Sequence, residues 1–142
     1  MERLPFFVYG TLRPGQGNHR LFEGRISAEY DGARAPGFVL YANGLPYVRA
    51  SGDVADEVIG TLVIPEPETY PQLLRRLDAL EGVRPNGAGL YNRKVCLAHY
   101  LTQPEGDWQE TRAWIYEGGS TYFTYAEHLR VPSGDWLRTR AA

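Results

Sequence analysis

The sequence predicts an α+β domain built on a curled or closed sheet. Two features carry this expectation. About six short apolar segments are punctuated by glycine and proline, as strands and turns are. One segment alone shows strong helical periodicity, and few helices beside many short strands point to that fold class. A chain of 142 residues suits one compact domain, 1–142, and at that size roughly 70% of the unfolded chain's surface can be buried.

The elements follow in order. Phe6 to Tyr9 is apolar and aromatic and reads as a first strand. It runs into Gly10-Thr11-Leu12-Arg13-Pro14-Gly15-Gln16-Gly17-Asn18, a loop, after which His19 to Glu23 suits a short helical turn. The stretch RISAEYDGARAPGFVLYANGLPYVRASGD is rich in strand formers, with expected breaks at Asp31-Gly32, Pro36-Gly37 and Asn43-Gly44. VIGTLVIP is a further strand ending at Pro65. YPQLLRRLDALEG is the helix, with Pro71 at its first position and Gly82 just past its end. YNRKVCLAHYL and ETRAWIYEG are two more strands, joined by a turn at Pro104-Glu105-Gly106-Asp107.

Composition excludes several classes. Fifteen basic side chains stand against 17 acidic ones, without the basic excess of a nucleic-acid binder. No apolar run approaches the roughly 20 residues that span a bilayer. The start, Met-Glu-Arg-Leu-Pro, lacks the pattern of a signal peptide. Cys96 is the single cysteine, so no internal disulfide is possible, and it alternates with Val95 and Leu97 as a small core residue would. His19, His99 and His128 lack metal-ligand spacing. The expectation is a cytoplasmic protein that uses neither metal nor cofactor and binds neither nucleic acid nor membrane.

The helix carries the first candidate for chemistry. At about 100° per residue, Leu73, Leu77 and Leu80 form one apolar stripe with Leu74 at its edge, and Arg75 and Arg76 fall outside it. Glu81 projects between Leu77 and Leu74, on the apolar side, in the last turn. Burial and the negative end of the helix dipole both raise a carboxyl pKa, which suits a general acid/base. The alternative is that the helix end frays and Glu81 turns to water. Asp78, at the border of the stripe, suits a structural role, pairing with an arginine or accepting backbone N–H groups.

The loop after the first strand has two readings as well. Glycine and proline clusters often mark plain turns. Gly10 also lets a backbone approach closely, so the amides of Gly10 to Leu12 could cradle a negative charge. The loop lacks the Gly-Lys-Ser/Thr ending of a nucleotide phosphate-binding loop.

Four motifs in this order, VYGTLRPG, LDALEG, YNRK and SGDW, resemble the γ-glutamylcyclotransferase-like family, which includes γ-glutamylamine cyclotransferases and AIG2-like proteins. The resemblance spans nearly the whole chain. It implies a small mixed β-barrel of about six strands with flanking helices, and a pocket between the first loop and a catalytic glutamate. Carried onto this sequence, Tyr9, Gly10, Thr11 and Leu12 would bind substrate and Glu81 would be the acid/base. The implied reaction closes a γ-glutamyl group on itself, giving 5-oxoproline and a free amine or amino acid. The implied partner is a small γ-glutamyl compound; neither its leaving amine nor the oligomeric state can be read here.

Other positions keep two readings. Tyr91 and Arg93 follow the glycine-rich stretch GVRPNGAG and either border the pocket or belong to a strand with one buried face. Trp136, in PSGDWL, suits a core plug closing the barrel. The rival to an enzyme is a binding domain that keeps the fold without catalysis. An unused carboxylate on an apolar face would be a costly thing to keep.

Overall fold

In the computed structural model, which describes residues 3–140, five strands close into a barrel. Positions 1–2 and 141–142 of the expected domain lie outside the described residues. The barrel strands are β1 (Phe6–Val8), β2 (Ile26–Pro36), β5 (Glu57–Pro65), β6 (Tyr91–Tyr100) and β7 (Gln109–Gly118), with β3 (Phe38–Asn43) and β4 (Leu45–Ala50) forming a separate hairpin. Their order around the barrel is β1-β5-β2-β6-β7. All pairings are antiparallel except β1 with β7, where Phe6 lies opposite Trp114, so the barrel is mixed.

A barrel this narrow needs small side chains inside it. Ala33, Ala35, Ala98 and Ala113 are fully buried in the interior beside Phe7, Leu62, Ile115 and Cys96. Trp136, at the start of α2 (Trp136–Arg140), is buried against the same cluster, as a plug would be. Alternate residues of β1 face the other way. Phe6 and Val8 meet Tyr70, Leu73, Leu74 and Leu77 of α1 (Tyr70–Leu80), which lies on the outside of the barrel. Leu73 and Leu77 are fully buried, each contributing about 2 kcal/mol of apolar transfer.

Two local expectations are corrected. Asp31-Gly32 does not end a strand: β2 runs on to Pro36, and the irregularity is absorbed as a register shift against β5 between Asp31 and Ala33. Leu80 does not complete the buried stripe. It is 41% exposed, because its place in the last turn of α1 lies at the edge of a cleft rather than against the core. The expected turns at Pro36-Gly37 and Asn43-Gly44 do separate strands, and His19–Phe22 forms a short 3₁₀ turn.

Among the described residues, no helix is long and apolar enough to cross a membrane.

Candidate active site

The cleft that α1 overhangs has a volume of about 220 Å³. That is small beside the roughly 300 Å³ at which ordinary ligand pockets begin, and it suits a small molecule. Tyr9, Gly10, Thr11 and Leu12 from the first loop, Glu81 from the end of α1 and Tyr91 from β6 all line it. The residues singled out in the first loop and at the helix end therefore come together. Asn18, from further along the same loop, also lines it, as do Pro46 of β4 and Tyr116 of β7, which carried no signal in the sequence.

The end of α1 shows why Glu81 does not fray into water. Gly82 takes φ +68°, a conformation that suits glycine. Its N–H donates to the carbonyl of Ala79, and the Val83 N–H donates to that of Asp78. This pair of bonds closes the helix C-terminus. The Tyr91 N–H donates to the Glu81 carbonyl, and the Leu90 N–H to that of Gly82, tying the turn to β6. The backbone of Glu81 is thus held from two sides while its side chain faces the cleft.

Burial pushes the Glu81 carboxyl up to about 7. No side chain or amide among the described residues donates a hydrogen bond to it. Three tyrosines surround it, and each has its hydroxyl engaged by the protein. Tyr9 donates to the Tyr116 carbonyl at 2.6 Å, Tyr91 to the Pro46 carbonyl at 2.7 Å, and Tyr116 to Asp78 at 2.8 Å. Burial first, with the nearby Glu81 charge adding to it, raises all three hydroxyls well above their ordinary value. They are walls of the cleft. Among the described lining residues, Glu81 alone has a carboxyl raised to about 7.

The first loop is folded on itself. Arg13 N–H donates to the Gly10 carbonyl, Asn18 N–H to that of Thr11, and the Asn18 side-chain amide to the Thr11 hydroxyl at 2.9 Å. The N–H groups of Gly10, Thr11 and Leu12 have no acceptor among the described residues. They are the donors an oxyanion or carboxylate needs. Gly10 has a packing reason as well. A Cβ there would stand 2.6 Å from Cγ of Pro46, so the missing side chain makes room for β4.

Arg13 and Arg93 stay out of the cleft. Arg13 is buried and bridges Asp31 on β2 and Asp135 before α2, each at 2.9 Å. It joins the first and last of the sequence motifs as a strut. Arg93 donates to Asp78 at 3.0 Å and lies 4.3 Å from the centroid of the Trp114 ring. Asp78 therefore has the structural role expected of it, and of the pair Tyr91 and Arg93 only Tyr91 borders the cleft. Cys96 is buried inside the barrel, and burial pushes its thiol up to about 12. Among the described residues no three His, Cys, Asp or Glu side chains are grouped as metal ligands.

A closed mixed barrel with one helix packed on its outside is a fold of the cyclotransferase type. The family model described as gamma-glutamyl cyclotransferase, AIG2-like, matches residues 6–138, and the chain belongs to that family. Solved structures with the same fold include the uncharacterised protein PH0828 of Pyrococcus horikoshii, at 22% identity and TM-score 0.61, covering 97% of this chain and 93% of that one. YkqA of Bacillus subtilis matches at 23% identity and TM-score 0.65, over 98% of this chain but only 43% of that longer one. The solution structure of A2LD1 matches at 23% identity and TM-score 0.59, over 89% of this chain and 83% of that one. At these identities the likeness is one of fold. Comparison with curated proteins gives no match.

Proposed function

We propose that the protein is a γ-glutamyl cyclotransferase with Glu81 as its acid/base. The observation that carries this is one small cleft lined both by a carboxyl raised to about 7 and by a loop whose three amides have, among the described residues, no acceptor. The substrate's α-ammonium gives a proton to the Glu81 carboxylate. The freed amine attacks the γ-carbonyl carbon of its own side chain, forming the ring C–N bond. Charge moves to the γ-carbonyl oxygen, where amides of Gly10 to Leu12 receive it. As the carbonyl re-forms, the bond to the leaving amine breaks, Glu81 returns the proton to the departing nitrogen, and the ring nitrogen gives up its second proton to solvent. The products are 5-oxoproline and a free amine, and no water is consumed. The nucleophile is tethered, so the walls formed by Tyr9, Tyr91 and Tyr116 need only hold the substrate folded for ring closure.

The test is incubation of the protein with a panel of γ-glutamyl amides and γ-glutamyl amino acids, measuring 5-oxoproline. Release of the amine with 5-oxoproline in equal amounts is expected. Release of glutamate in place of 5-oxoproline would make the protein a hydrolase and remove the proposal.

A further inference from the structure

Besides Leu12 of the first loop, the cleft is lined by three leucines from three separate places in the chain. Leu45 opens β4, Leu80 closes α1, and Leu90 directly precedes β6. Leu45 is 49% exposed and Leu80 41% exposed, and neither belongs to a core cluster. Single exposed leucines are ordinary on a protein surface, but apolar side chains converging on a concave opening mark a binding surface.

Charge is as telling as hydrophobicity. Among the described residues, Glu81 is the only carboxylate lining the cleft, and no lysine or arginine lines it. Arg13 is held by Asp31 and Asp135, and Arg93 by Asp78. Arg84 borders a different, neighbouring hollow, which shares Leu90 with the cleft. A carboxylate carried on the leaving amine would meet leucines and no cation, at a desolvation cost. An ammonium at the far end of a leaving chain would find no carboxylate on the rim.

We infer that the site prefers γ-glutamyl compounds whose leaving amine carries a neutral apolar group, a short alkyl or aryl substituent, seated on Leu45, Leu80 and Leu90. The inference rests on the cyclotransferase reading above. If the glutamyl head occupies the loop amides, the nitrogen that Glu81 reprotonates must point outward. Its substituent then crosses the rim beside Leu80, the neighbour of Glu81 in the chain.

The experiment compares kcat/KM for 5-oxoproline release from four substrates: γ-glutamyl methylamide, γ-glutamyl butylamide, γ-glutamylglutamate and Nε-(γ-glutamyl)lysine. The butylamide should exceed each of the others by roughly ten-fold, an open rim giving less discrimination per methylene than a closed pocket. The difference should sit mainly in KM, as it does for contacts made equally before and during reaction. In the Leu45→Ser/Leu80→Ser double variant the butylamide-to-methylamide ratio should fall toward one. If that variant does not fold, Leu45→Ser alone, at the exposed start of a hairpin strand, should lower the ratio by several-fold. Ranking the charged substrates above the butylamide, or an unchanged ratio in a folded variant, would overturn the inference and leave the cyclotransferase reading standing. Absence of 5-oxoproline from all four substrates would overturn both.

Discussion

Replacing Glu81 with glutamine tests the proposed chemistry and the structure together, because the same buried carboxyl controls both. A carboxyl that titrates at about 7 instead of near 4.5 favours its protonated form in the folded protein. Between those two pH values the folded state binds more protons than the unfolded one, so stability must fall as pH rises through the window. The contribution is fully present below about 4.5 and lost above about 7, and the loss is on the order of 3 kcal/mol. Glu81→Gln keeps the size of the side chain and does not titrate. The variant should melt close to the parent at pH 4.5 and above it at pH 8, by roughly 10 °C for a chain of this length. Its 5-oxoproline production should drop by about 10²–10⁴-fold, the usual contribution of a positioned acid/base. In the parent, kcat/KM should rise with pH through an apparent value of about 7 as Glu81 ionises. The assay is thermal melting at both pH values beside turnover on the best substrate. Asp78→Asn is the control. It disturbs the bonds from Arg93 and Tyr116 and should lower the melting temperature while sparing turnover per folded molecule. Two results would refute the reasoning: a folded Glu81→Gln variant with near-parental turnover, or a variant whose melting temperature follows pH as the parent's does.

Three further predictions follow from the frame around the site. Gly10→Ala should cost about 1–3 kcal/mol of stability by driving a methyl group into Pro46; Pro46→Ala in the same chain should recover part of the loss, and no recovery would mean that the clash is not the cause. Arg13→Ala should cost about 2–4 kcal/mol, measured by urea unfolding, because Asp135 and Asp31 lose their shared partner. That figure lies toward the low side for a broken buried pair because Asp31 is largely exposed, and a loss under about 1 kcal/mol would remove Arg13 as a strut. Cys96→Ala should leave kcat within a few-fold of the parent, and iodoacetamide should label the folded parent only slowly, since the thiol is buried and pushed up to about 12; rapid labelling with loss of activity would contradict this.

Local pattern was enough to determine much of this protein. The periodicity of YPQLLRRLDALEG located α1, and glycine at position 82 marked its end, because helix geometry and the left-handed turn that closes it are properties of a few adjacent residues. The same reasoning put Glu81 on the apolar side of that helix and Asp78 on its border. Four short motifs in order pointed to the family, and with it to the barrel. The strands β6 and β7 were readable for the same reason, as short segments joined by a turn at Pro104-Glu105-Gly106-Asp107.

What needed the tertiary structure was every relation between elements distant in the chain. Leu80 belongs to the helix stripe by periodicity, yet lies at the cleft, because burial depends on what other elements place opposite a side chain. Gly10 read as room for a close approach, and the structure shows Pro46 as a neighbour that needs the room, a contact no local pattern encodes. Arg13 stands in a loop that invites an anion, and its charge is taken by Asp31 and Asp135, the second of them 122 residues away. Tyr116 and the leucine rim carried no signal, since a wall built from single residues of several elements has no period of its own. The helix could present a carboxylate by itself; only the closed barrel, bringing the first loop, the hairpin and β6 around it, removes enough water to hold that carboxylate near neutrality.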